Sequence, residues 1–216
     1  MVAHRPLHAE YFLLAHDGYS GRLHIDPHLA DAGVAAAILA DLSITGHIAI
    51  DGGVVQVRSQ ITPPTDAIAA AVVEQVGQGR HDVARWVWLL AGVATTLVSD
   101  HLVHDGVVAR PPARLLDRLT LAGPRHIAMD AVAAAAPRVL LRHAAAGDGP
   151  ADPRIAALAA LAVATGLEHV IADGANRTVR GRLRELADTV DGDLRRIVEG
   201  MDTAAIRITL TPNRGQ

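Results

Sequence analysis

The chain has no cysteine, no lysine and almost no aromatic residues, and each shortage closes a class of function. Without cysteine there is no disulfide, no thiol nucleophile and no thiolate metal site, which fits a reducing compartment. The aromatic set is Tyr11, Phe12, Tyr19, Trp86 and Trp88, too sparse for the stacking platform that single-stranded nucleic acid needs. A formal net charge of −3 and a pI near 6.4 lack the basic stripe of a duplex binder, so no nucleic-acid partner is expected. No Gly-rich phosphate loop, Gly-x-Ser-x-Gly elbow or dinucleotide fingerprint is present. Ser20, Ser43, Ser59 and Ser99 stand in no nucleophile context. The reading therefore leans away from an enzyme and expects no cofactor. The first ten residues lack a charged-then-apolar signal pattern. The longest apolar candidate, Ile155 to Leu167, falls short of the about 20 residues of a membrane-spanning helix. A cytoplasmic protein is expected, with any membrane contact peripheral.

What is present is aliphatic. Half of the 216 residues are hydrophobic, nearly all Ala, Val, Leu and Ile, and the length suits one domain with a real core. All twenty basic residues are Arg. Arg suits phosphate and carboxylate partners, but the accompanying Ala richness points to the composition of a high-GC genome. Arg177, Arg180, Arg182, Arg184, Arg195 and Arg196 interleave with Glu185, Asp188, Asp191 and Asp193, as on an ion-paired helix surface.

Along the chain, Leu7 to Leu14 reads as a helix with an apolar face of Leu7, Tyr11 and Leu14. His16-Asp17-Gly18 ends it. Asp26-Pro27 starts a second helix running to about Thr45, with Gly46 as its C-cap. His47–Ile50 and Val54–Arg58 flank Asp51-Gly52-Gly53, a hairpin signal. Asp66 offers an N-cap for a helix from Ala67 to about Val76. A long helix is predicted from about Asp82 to His104, with Trp86, Leu89, Leu90, Val93, Leu97 and Leu102 as its core residues. Val107 to Leu121 reads as a second hairpin around Pro111-Pro112. Helices are expected over about Met129–Ala146, Pro153–Thr165, Thr178–Val190 and Asp193–Met201, then a β-prone tail from Ile206 to Leu210. The expectation is a mainly α fold, a single helical domain over residues 1–216 with two short β-hairpins.

The order of these pieces resembles a known family. Leu7-His-Ala-Glu-Tyr-Phe-Leu-Leu-Ala-His-Asp17 is similar to the opening helix of Golgi phosphoprotein 3 and its yeast vacuolar-sorting relative. Ala32–Leu42 followed by Gly46-His-Ile resembles the next helix and its exit. Pro64-Thr-Asp66, Arg85–Leu90, Leu102–Val107 and Asp152–Leu158 match further family segments in the same order, over roughly residues 6 to 170. With its composition, the chain resembles a bacterial, actinobacterial-type member. The resemblance implies a soluble helical domain that docks on membranes, recognises a phosphoinositide headgroup, inserts an apolar hairpin and binds protein tails of glycosyltransferases.

The hairpin carries over best. Arg114-Leu-Leu-Asp-Arg-Leu-Thr-Leu121 would place Leu115, Leu116, Leu119 and Leu121 in lipid, with Arg114, Arg118 and Arg125 at anionic headgroups. The same leucines would also serve an ordinary core hairpin facing the domain. The headgroup pocket carries over badly: the family's Trp and basic positions fall near Asp26, Ala35, Gly92 and Thr95, none of which clamps a phosphate. Anionic phospholipid, with or without a protein tail, is the expected partner; the oligomeric state is left open.

The alternative is an enzyme of small-molecule metabolism, with the helical cleft as an apolar pocket and His and Asp as acid–base groups. Its candidates are the His16-Asp17 pair, with His24 and His28 nearby, and Asp100, His101 and His104 at the end of the long helix. His101 and His104, at i and i+3, also invite a metal, but no third ligand is evident. Neighbouring Asp and His at helix ends usually cap or face solvent, and the turn after the first helix is charged for structural reasons in the family, so the structural reading is preferred for both sets and no metal site is assigned.

Overall fold

The computed structural model describes residues 5–58, 62–112, 124–147, 152–172, 176–190 and 192–210. Helix α1 (Leu7–Ala15) is buried along its whole length. The expected face of Leu7, Tyr11 and Leu14 is inside, and so is every other face, as a helix apolar on nearly all sides requires. Helix α2 (Pro27–Ile44) packs along it. Asp26 starts α2 by accepting the His28 amide at 2.8 Å. At the far end the Gly46 amide reaches the Ser43 carbonyl and the His47 amide the Leu42 carbonyl, satisfying the last turn. The two helices approach so closely that a Cβ on Gly33 would lie 2.1 Å from the Tyr11 ring.

Burying α1 also buries Glu10, and a buried carboxylate needs a partner. Arg154, on helix α7 (Pro153–Ala164), supplies it: its guanidinium donates to Glu10 Oε2 at 3.3 Å, to Asp41 Oδ1 at 2.7 Å and to the Arg5 carbonyl. The other oxygen of Asp41 accepts the Leu7 amide at 3.1 Å. One carboxylate from α2 thus caps the positive end of α1 and pairs with α7.

Strands β1 (Ile48–Asp51) and β2 (Val54–Val57) pair antiparallel, Asp51 opposite Val54. Gly52 and Gly53, at φ 57° and 82°, form the expected two-residue turn, which needs positive φ at both positions. Asp66 caps helix α3 (Ala67–Gln78) through the Ala69 amide at 2.7 Å.

The single helix expected from Asp82 to His104 is two helices, α4 (Val83–Leu90) and α5 (Val93–His104), bent by 53°. Gly92, at φ 79°, adopts a conformation no helix can continue through. The break resets the helical phase. Trp86 and Leu102 are buried as expected, but Leu89, Val93 and Leu97 face solvent, Val93 at 63%, while Val87, Ala94, Val98 and Ser99 turn inward. Leu90 is half-buried.

The second hairpin is also wider than expected. Its stem is β3 (Val108–Ala109) on β4 (Ile127–Ala128), so Pro111-Pro112 lies near its start instead of at its tip. Helices α6 (Ala131–Ala146), α7, the short α8 (Glu168–Ile171), α9 (Arg177–Asp188) and α10 (Gly192–Leu210) follow. The tail read as β-prone, Ile206 to Leu210, is the last turn of α10. α10 is anchored on α4 and α2, and such tertiary support outweighs the weak preference of β-branched residues. α9 lies on α7, and α6 on α1. By length and composition α2 could cross a membrane, yet it is wrapped by α1, α7 and α10. One core draws on residues from Leu7 to Ala205.

Gly33→Ala is expected to cost about 1–3 kcal/mol in urea unfolding, the range of an overpacked core site. In a Tyr11→Leu background the added cost should fall below about 1 kcal/mol, because the clashing ring is gone. An equal cost in both backgrounds would mean that the α1–α2 approach is not what requires Gly33.

Candidate functional site

The hairpin root is built from residues far apart in sequence. Continuing the β3–β4 register brings Arg110 opposite His126. Both converge on Ser99 of α5: the Ser99 hydroxyl lies 2.7 Å from His126 Nε2, and Arg110 donates to it at 2.5 Å. Arg110 also pairs with Asp100 at 2.7 Å. The His126 ring stands edge-on to Phe12 (5.0 Å) and to His16 (4.9 Å), which stack on each other at 4.1 Å. His16 Nδ1 donates to the Phe12 carbonyl at 2.8 Å.

Burial holds both imidazoles neutral. His16 is lowered to about 4, chiefly by desolvation. His126 is lowered to about 4 by desolvation, then by His16 and Arg110. Ser99 beside a neutral imidazole has the elements of an activated nucleophile, but it is 2% exposed. Its bond partners make it a clamp that joins α5, β3 and β4.

The turn after α1 is stitched to the same strand. Gly21 accepts the His126 amide and Gly18 the Ala128 amide, each at 2.9 Å. A Cβ at Gly21 would lie 2.8 Å from the His126 nitrogen, so only glycine fits there. Asp17 Oδ1 accepts the Ser20 amide at 2.6 Å, and bonds of this kind hold its carboxyl below the usual range.

Beside this root lies a groove of about 480 Å³ between the end of α1, the Asp17–Ser20 turn, β4 and α6. Leu13, Leu14, Ile127 and Val170 line its apolar part, and His16, Asp17, His24 and Arg138 its polar part. His24 is lowered by desolvation, with Arg138 and His169 adding to the effect and Asp17 opposing it.

The residues singled out from sequence fall in three places. Arg114, Leu115, Leu116, Arg118, Leu119 and Leu121 lie outside the described residues; Arg125 stands half-buried next to His126. His16 and Asp17 meet the groove, each committed to a backbone group as above. Asp100 belongs to the hairpin root, whereas His101 pairs with Asp105 at 3.5 Å on the exposed face of α5, where His104 is also exposed. Among the described residues no group of three or more His, Asp or Glu is placed to hold a metal.

Of the positions that the resemblance sets near a headgroup pocket, Asp26, Gly92 and Thr95 lie close to one side chain that sequence reading passed over, Asp31. A Cβ on Gly92 would come within 3.9 Å of Asp31 Oδ2. Thr95, His28 and Asp26 all act on the same carboxyl electrostatically. Desolvation raises Asp31, and Asp26 adds to the rise. Ala35, one turn further along α2, is fully buried. Asp26 and Asp31 thus stand together beside the start of α5, with His28 close by. The only sequence signal for Asp31 was its place one turn before Ala35. Nothing in the sequence linked Ser99, Arg110 and His126.

These features describe a mainly helical domain that encloses its first helix and carries a clamped hairpin. The family model described as Golgi phosphoprotein 3 (GPP34) matches residues 7–201. The chain belongs to that family. Among curated proteins, none matches it.

The neutral His pair makes stability pH-dependent. Unfolded imidazoles titrate near about 6.5, and the folded pair near about 4. Between those values the unfolded chain binds more protons, so this stability is full above the upper value and lost as pH falls through the window. His126→Gln removes one titrating ring while leaving an amide to meet Ser99. Urea midpoints at pH 7 and 4.5 should show a loss on acidification of order several kcal/mol in the wild type. The loss should be clearly smaller in the variant. Equal losses would contradict a buried neutral His126.

Proposed function

We propose that this protein is a peripheral adaptor that docks on anionic membrane surfaces through the segment carried between β3 and β4. The observation that carries the reading is the clamped root: Ser99, Arg110 and His126 fix the base of a connection whose sequence holds Leu115, Leu116, Leu119 and Leu121 among Arg114, Arg118 and Arg125. A clamped base fixes where that connection leaves the domain. Each leucine entering the bilayer would contribute about 1.5–3 kcal/mol, and each Arg at an anionic surface about 1 kcal/mol. Exposed Tyr19 and Met129 flank the same root and would extend the contact. Family membership supports the reading. The neighbouring carboxyl groups of Asp26 and Asp31 argue against a phosphoinositide-specific version, leaving bulk anionic lipid as the target. An acid–base enzyme is less favoured, since His16 Nδ1 and the Asp17 carboxylate are spent on backbone groups.

The protein should sediment with vesicles rich in phosphatidylinositol or cardiolipin at low salt, release at high salt, and ignore neutral vesicles. Leu116→Asp with Leu119→Asp should abolish sedimentation while leaving the melting temperature unchanged. Equal binding to neutral vesicles, or an unaffected double variant, would sink the reading.

A further inference from the structure

Strand β4 leads through Met129 and Asp130 straight into α6, so the outer face of that helix begins where the clamped root ends. Val132, Ala136, Val139 and His143 recur at i, i+4, i+7 and i+11, which sets them on one stripe of the helix. All four are exposed. Among the described residues, Tyr19 at 94% and Val132 at 81% are the large apolar side chains most open to solvent, and Met129 comes next. Tyr19 belongs to the same surface. A Cβ on its neighbour Gly18 would touch Ala128 and Ala134, and Tyr19 lines the groove together with Ala131 and Ala135. Apolar side chains therefore run from the hairpin root along α6, with about 10 Å of helix between Val132 and Val139. The opposite face, Ala133, Pro137, Leu141 and Ala145, already seats α6 on the domain, so the outer valines do not serve the core.

The charge of this helix has one sign. Its ionisable residues are Arg138, Arg142 and His143, and no Asp or Glu occurs between Ala131 and Ala146. Asp130, just before it, is the N-cap and accepts the Ala133 amide at 2.9 Å. Whatever contacts the arginines make within the chain, no carboxylate along the stripe repels an anionic surface. Small aliphatic side chains on a convex helix give a protein partner no pocket for an anchor residue, but they suit the shallow insertion of an interfacial helix. We infer that the outer face of α6, with Tyr19 and Met129, is a second membrane contact that lies on the anionic bilayer beside the hairpin. This contact presupposes the membrane reading above and extends it by a helix face that orients the domain. Two contacts fix the tilt of the domain on the surface, where a hairpin alone would act as a tether.

A chain without cysteine can take a single thiol label at a chosen position. A nitrobenzoxadiazole probe on Val139→Cys is read during titration with phosphatidylserine vesicles, with lipids brominated along the acyl chain as quenchers. Ile206→Cys, similarly exposed on α10, which packs on α4 and α2, is the control. The probe at position 139 should brighten, shift to the blue and be quenched by the brominated lipid; the probe at position 206 should do none of these. Val132→Asp with Val139→Asp should weaken vesicle binding about tenfold. Val132→Trp with Val139→Trp should tighten it, as indole favours the bilayer interface. Neither pair should move the melting temperature, since both positions face solvent. Sedimentation with vesicles while the probe at 139 stays silent would overturn the α6 contact and leave the hairpin reading standing. Failure to sediment at all would overturn both. An equal response at 206 would overturn a contact specific to α6. A response at 139 that grows with protein concentration without vesicles would assign the face to a second copy of the chain and overturn the membrane contact.

Discussion

Helix α1 has no solvent face, and the rest of the fold is arranged by the need to bury it. A helix this apolar could be covered in many ways. One of its residues, Glu10, narrows the choice, because an unpaired carboxylate inside a core costs several kcal/mol. The partner, Arg154, comes from 144 positions away and also holds Asp41, which caps α1. Hydrocarbon burial supplies the bulk of the driving force. The ion cluster selects which packing of α1, α2 and α7 is reached.

The same helix organises the hairpin root at its other end. Phe12 and His16 support His126, and through it Ser99 and the β3–β4 stem. The turn leaving α1 runs along β4 and walls the groove. A single buried helix thus links the ion cluster, the hairpin base and the groove. Asp31 lies elsewhere, facing Gly92 at the α4–α5 bend. Asp26, Ala35, Gly92 and Thr95 stand near the positions where the resemblance to eukaryotic members implies an indole and basic side chains.

Most of the helices could be read from local chemistry, since Asp26, Asp66 and Asp152 are caps whose consequences act within three residues. The Gly52-Gly53 turn was legible for the same reason. The α4–α5 bend was not, because Gly92 in an apolar helical stretch looks like a tolerated interruption until its φ is known. Missing the bend carried the wrong phase forward and put Val93 and Leu97 in the core. The hairpin stem was misplaced because two-residue strands leave little periodicity to read, and the prolines suggested a tip. The site was least legible: Ser99 meets His126 across 27 positions, a contact that only the packing of α5 on α1 produces.

We propose that membrane affinity in this Golgi phosphoprotein 3 family member depends on surface charge and not on headgroup identity, a reading supported by Asp26 and Asp31 standing together near the α4–α5 bend. The most direct test compares binding to two vesicle sets of equal total negative charge, one bearing phosphatidylinositol 4-phosphate and the other phosphatidylserine. The account predicts equal affinity for both sets. A preference of tenfold or more for the phosphoinositide vesicles, persisting at high salt, would contradict it.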